Sequence, residues 1–143
     1  MDRSGLQWLK LSVDAEGGTL SYSAHGRVYD PASTNPFYYY YPSLMVNGAG
    51  DMVMGFSGSN ATNYIGAFYT WKPAAGSTTA VPRLIQVGGT GFLSSRWGDY
   101  SATTLDPTDD CSFWTVQEYA DPSVDPGGDW PWATVIAEIR PNP

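Results

Sequence analysis

Two stretches of this chain repeat one another at a fixed distance, and that repeat constrains the fold more than any other feature. Pro42-Ser43-Leu44-Met45-Val46-Asn47, a Gly/Asp turn and then Met54-Gly55-Phe56 form the first copy. Tyr100-Ser101-Ala102-Thr103-Thr104-Leu105-Asp106, an Asp-rich turn and then Ser112-Phe113-Trp114 form the second. Ser43 to Ser101 and Phe56 to Trp114 both span 58 positions. Each copy leads into an aromatic-bearing strand, Gly66 to Thr70 in the first and Trp132 to Ile136 in the second. Leu6-Gln7-Trp8-Leu9-Lys10 reads as a third version of that strand. Repeats of this period are built from supersecondary units that cannot bury their own apolar faces alone.

The segments between turns are short and alternate in polarity, as half-buried strands do. Leu6 to Val13 predicts a strand with Leu6 and Trp8 on one face and Gln7, Leu9, Leu11 and Val13 on the other. Asp14 to Gly18 is a turn. Thr19 to Tyr29 predicts a second strand with Leu20, Tyr22, Ala24 and Val28 on one face. Asp30 to Pro36 holds two prolines and must be a loop. The run Phe37 to Tyr41 leads into the third strand, and half of its rings are expected to pack between sheets or chains. Met52 to Ser57 is the fourth strand, with Met52, Met54 and Phe56 on one face, and Gly58-Ser59-Asn60 reads as its turn. Tyr64 to Trp71 follows, and then Val81 to Val87, which Pro82 marks as an edge. Ser101 to Leu105, Cys111 to Tyr119 and Trp132 to Ile139 complete nine strands, with no convincing helix.

The expected fold is all-β: antiparallel, four-stranded, β-propeller-like blades, about two per chain. Residues 1–36 would supply half a blade, residues 37–91 a full one and residues 92–143 most of a further one. Composition agrees with short strands and many turns. Charged residues make up 15% of the 143, and six Trp and ten Tyr accompany 16 Gly and 11 Pro.

The segment entering the second copy resembles a named group. Arg96-Trp97-Gly98-Asp99-Tyr100-Ser101, followed by Asp106-Pro107 and Phe113-Trp114, resembles the C-terminal blades of β-propeller-type bacterial secreted or surface proteins, many of them uncharacterised. The earlier Tyr41-Pro42-Ser43-Leu44-Met45-Val46-Asn47 with Gly50-Asp51 is similar to the preceding blade in those proteins. The turns after Leu105 and Val46 are also similar to the Asp-box hairpins of sialidase-like propellers, with another turn length and without the Ser-x-Asp-x-Gly order. The resemblance implies a propeller and a secreted or surface setting.

Two blades do not close a ring, because propellers use four to eight. Self-association is therefore expected, with three chains giving about six blades. The function expected is a non-catalytic scaffold or binding module, with a carbohydrate or a protein as its ligand. The alternative is a remnant of a sialidase-like or other carbohydrate-active propeller enzyme. The ligand-binding candidates are Arg96, Trp97, Asp99 and Tyr100, since charged and aromatic groups together suit sugars and peptides. The competing reading pairs Arg96 with Asp99 and wedges Trp97 between blades.

Other chemistry finds little support. His25 is the single histidine, and no motif places a serine and a carboxylate around it. Gly55-Phe56-Ser57-Gly58-Ser59 departs from a nucleophile elbow at its last position. Gly88-Gly89-Thr90-Gly91 lacks the lysine and helix of a phosphate loop. Asp106, Asp109 and Asp110 are expected to cap their turn rather than bind Ca²⁺, and no metal or cofactor is predicted. Net charge is −7, with nine carboxylates and no Lys or Arg from Asp99 to Glu138, which repels nucleic acid. No apolar run is long enough for a membrane helix. Met1 to Gly5 lacks the basic start and apolar stretch of a secretory leader, so the compartment stays open. Cys111 has no partner for a disulfide and is expected to be a small buried hydrophobe within its strand.

Overall fold

The computed structural model describes residues 3–141. Among them are nine strands and no helix: β1 (Leu6–Val13), β2 (Leu20–Val28), β3 (Tyr38–Val46), β4 (Met52–Asn60), β5 (Asn63–Lys72), β6 (Arg83–Gln86), β7 (Ala102–Leu105), β8 (Phe113–Ala120) and β9 (Trp132–Ile139). The fold is all-β. Every pairing is antiparallel and joins sequence neighbours, giving sheets of order β1-β2, β3-β4-β5-β6 and β7-β8-β9.

The three sheets stack as layers because β4 is buried on both faces. Met52, Met54 and Phe56 point one way and meet Leu6, Trp8 and Val28 of the first sheet, with Tyr39 and Phe68 beside them. Val53 points the other way and meets Phe113 and Ile139 of the third sheet. Burying a side chain such as Phe56 or Phe113 contributes about 1.5–3 kcal/mol, so these clusters set the layer order. The second and third sheets lie strand over strand: β3 against β7, β4 against β7 and β8, β5 against β8, and β6 against β9. The short β6 forms an edge, as Pro82 predicts.

Part of the layer between the second and third sheets is polar. Gln117 Nε2 donates to Ser43 Oγ and to Thr115 Oγ1, both at 2.9 Å. Ser43 Oγ meets Thr103 Oγ1 at 2.8 Å, and Thr103 meets Thr115 at 3.0 Å. Ser101 Oγ donates to Gln117 Oε1 at 2.9 Å. Gln117 and Thr115 are fully buried, and each finds partners within the network, as groups removed from water require.

Four sequence expectations change. Lys10 pairs with Ala24 and Leu11 with Tyr22, leaving Ser23 as an extra residue in β2. That bulge reverses the alternation, so Leu20 and Tyr22 turn outward with Leu9, Leu11 and Val13 while Ala24 and Val28 stay inside. Gly58-Ser59-Asn60 is strand, not turn, and the reversal falls at Ala61 and Thr62. Cys111 is exposed and precedes its strand. The 58-residue offset does not superpose the two hairpins. Asn47 N–H bonds to Asp51 O across the first turn, and Asp106 N–H bonds to Ser112 O across the second, which is two residues longer. Phe56 therefore faces the first sheet, whereas Trp114 faces away from the stack.

Candidate functional site at the sheet junction

The chain from Gly88 to Ser101 carries no regular structure and crosses from β6 to β7. Its polar groups must therefore find partners on the sheets it passes. Trp97 is half-buried, and its Nε1–H donates to Ser57 Oγ on β4 at 3.1 Å. Its ring meets Phe92 edge-on at 4.7 Å, and Phe92 meets Trp130 at 6.4 Å. Gly98 N–H donates to Glu118 Oε2 on β8 at 2.6 Å. Ser101 reaches Gln117 on the same strand. The segment is thus fastened to the second sheet by Trp97 and to the third by Gly98 and Ser101.

Gly98 has φ of +101°, and a Cβ there would overlap the Tyr41 ring. Only glycine fits both demands. Tyr41 is itself left-handed, with φ of 50°, in the bulge that separates the Tyr40–Ser57 and Ser43–Gly55 pairs of β3 and β4.

The four candidates divide into two roles. Trp97 is an anchor. Arg96, Asp99 and Tyr100 present exposed groups. Arg96 and Asp99 pair at 3.5 Å, with side chains 73% and 65% exposed. A pair so open to water contributes at most about 1 kcal/mol, so it does not hold the segment, and it leaves both charges accessible. Tyr100 stacks on Trp132 of β9, with centroids 4.9 Å apart and planes at 20°. An ion pair thus sits in sequence beside a stacked aromatic pair, an arrangement able to hydrogen-bond a polar ligand and cover its apolar face.

Sequence reasoning passes over Glu118 and Gln117. Glu118 is 5% exposed, and burial pushes its carboxyl above the usual range, with Asp99 adding repulsion. The Gly98 and Tyr100 N–H groups act in the opposite direction by favouring the carboxylate. The two side chains are adjacent polar residues in a strand that is otherwise mostly apolar, and that is the one signal available beforehand.

The aspartates of the second turn hold the turn itself. Asp106 accepts from Thr108 and from Trp114 Nε1. Asp109 accepts from Cys111 N–H, Ser112 N–H and Ser112 Oγ, which lower its carboxyl to about 2. Asp110 accepts from Gly48 N–H at 3.1 Å and so joins the turns of the two hairpins. Among the described residues no group of three His, Cys, Asp or Glu side chains converges on a metal position. No family model, curated protein or solved structure matches this chain.

Proposed function

We propose that this chain is a non-catalytic, β-propeller-like scaffold or binding module completed by further copies of itself. The observation that carries the reading is the layered stack, in which three antiparallel sheets follow in chain order and the second and third lie strand over strand. The stack ends on uncovered apolar side chains: Leu9, Leu11, Val13, Leu20 and Tyr22 on one side, Trp114 and Ile136 on the other. Uncovered faces of this kind mark association sites. Three chains of about two blades each would give a ring of about six.

Arg96, Asp99 and Tyr100 supply the ligand contact in this reading, and Trp97 holds their segment in place. The ligand class is a carbohydrate or a protein. Light scattering of the purified chain at micromolar concentration tests the assembly: a mass of several chains is expected, and a mass of one chain overturns it. A fluorogenic glycoside screen tests the non-catalytic part. No turnover is expected, and turnover lost in Asp99→Ala would favour the carbohydrate-active enzyme instead.

A further inference from the structure

A groove of about 740 Å³ runs between the first sheet and the β3 side of the second. It exists because two strands cover only part of a four-stranded sheet. Leu44 pairs with Met54 and Val46 with Met52, so Leu44 and Val46 share the face on which β1 and β2 pack. They nonetheless remain 43% and 45% exposed. Trp8, Leu11, His25, Lys10 and Lys72 are among the other lining residues, and no acidic residue takes part among the described residues. Lys72 lies 5.8 Å over the Trp8 ring. An apolar groove with two ammonium groups is unexpected in a chain of net charge −7, and it calls for an occupant that is apolar and anionic. Among the described residues β1 pairs with β2 alone, so its groove-side edge is unpaired.

The far end of the stack has that character. The register of the third sheet places Trp114 beside Glu138, and Val116 beside Ile136, on its outward face. Ile136 is 65% exposed and Trp114 38%. Glu138 holds Arg140 through Oε1 at 2.7 Å, and its other oxygen is uncommitted among the described residues. No lysine or arginine occurs between Asp99 and Glu138.

We infer that the groove of one copy receives the outward face of the third sheet of a second copy, head to tail. Trp114, Val116 and Ile136 cover Leu44 and Val46, Glu138 meets Lys10 and Lys72, and β9 of the second copy runs along the free edge of β1. Charge selects this arrangement. Two grooves face to face would oppose lysines, and two third sheets face to face would leave those lysines without a carboxylate, whereas groove against third sheet brings Lys10 and Lys72 to Glu138. A head-to-tail contact joins unlike surfaces and repeats until the rotation closes. The inference rests on the self-association proposed above and adds to it which surfaces meet.

Two single-face variants test it. Leu44→Asp blocks the groove, and Ile136→Asp blocks the third-sheet face. Both positions are exposed, and far-UV circular dichroism checks that each variant folds. By light scattering, the unsubstituted chain is expected to assemble and each variant alone to have the mass of one chain. An equimolar mixture of the two is expected to give a two-chain complex, because one variant keeps its groove and the other its third-sheet face. Recovery of association on mixing also shows that both variants are folded. If the unsubstituted chain assembles and either variant keeps its mass, the docking is overturned while self-association stands. Folded variants that stay single after mixing overturn the head-to-tail arrangement. An unsubstituted chain with the mass of one copy overturns both readings, whatever else enters the groove. As a second check, Lys10→Glu and Glu138→Lys are each expected to weaken association about tenfold, and the chain carrying both is expected to recover. Absence of that recovery overturns the proposed pairing.

Discussion

Asp109 in the β7–β8 turn and Glu118 on β8 show how one functional group, the carboxyl, serves opposite ends. Asp109 is open to water but accepts three hydrogen bonds within its turn, so its carboxyl falls from 3.8 to about 2. Glu118 is buried against the junction segment, so its carboxyl rises above 4.5. The signs of their pH effects follow. A lowered carboxyl contributes stability that is present above its unfolded value and lost as pH falls through its folded one. Asp109→Asn removes that contribution, so the variant is expected to be less stable at neutral pH. The gap should narrow as pH falls from about 4 to about 2. A raised carboxyl acts the other way: its contribution is full below the unfolded value and declines as pH rises through the folded one. Glu118→Gln should gain on the unsubstituted chain as pH rises from 4.5 toward neutrality. Thermal melts across this range check both, and parallel curves would refute the assignments. The Arg96–Asp99 pair is legible in the sequence because the two opposite charges lie three positions apart. Glu118 is not legible, because its partners are N–H groups on a segment some twenty residues away that has no regular structure of its own.

At the scale of strands, alternation identifies all nine elements, and the errors come from local backbone decisions. Gly58, Ser59 and Asn60 have turn composition, yet Gly58 sits in mid-sheet, where it pairs with Tyr39 and Gly66. A Cβ there would press on the Tyr39 and Phe68 rings. Its small size makes room for aromatics and does not signal a reversal. The bulge at Ser23 is equally silent, since an extra residue in one strand leaves no compositional mark. Gly55 is the most demanding of these positions. A Cβ there would overlap Thr115 Oγ1 and Gln117 Nε2, the buried groups that join the second and third sheets. Gly55→Ala must either displace the third sheet or break hydrogen bonds that have no water to replace them. The expected cost is about 2–4 kcal/mol, seen as a fall in melting temperature of roughly 6–13 °C for a chain of this length. A loss below about 1 kcal/mol would mean that the polar network re-forms around the methyl group.

At the scale of the whole molecule, the sequence shows an all-β chain of short antiparallel strands, but not how its sheets meet. The packing depends on which face of β4 carries which neighbour, and β4 is buried on both. The layered arrangement leaves the outward face of β1 and β2, the groove beside Leu44 and the outward face of the third sheet uncovered. If other copies cover these surfaces, folding and assembly are linked by mass action. Each tenfold rise in protein concentration should then stabilise a chain by at most about 1.4 kcal/mol, equivalent to a rise in melting temperature of up to roughly 5 °C. A dye that fluoresces on apolar surface should bind the dilute protein and be displaced as concentration rises, because association covers the sites it uses. Leu44→Asp should abolish both concentration effects, since the blocked groove leaves the chain single at every concentration. A melting temperature that stays constant across a hundredfold range, with dye binding per chain unchanged, would mean that these faces stay open in solution and that a single chain suffices on its own.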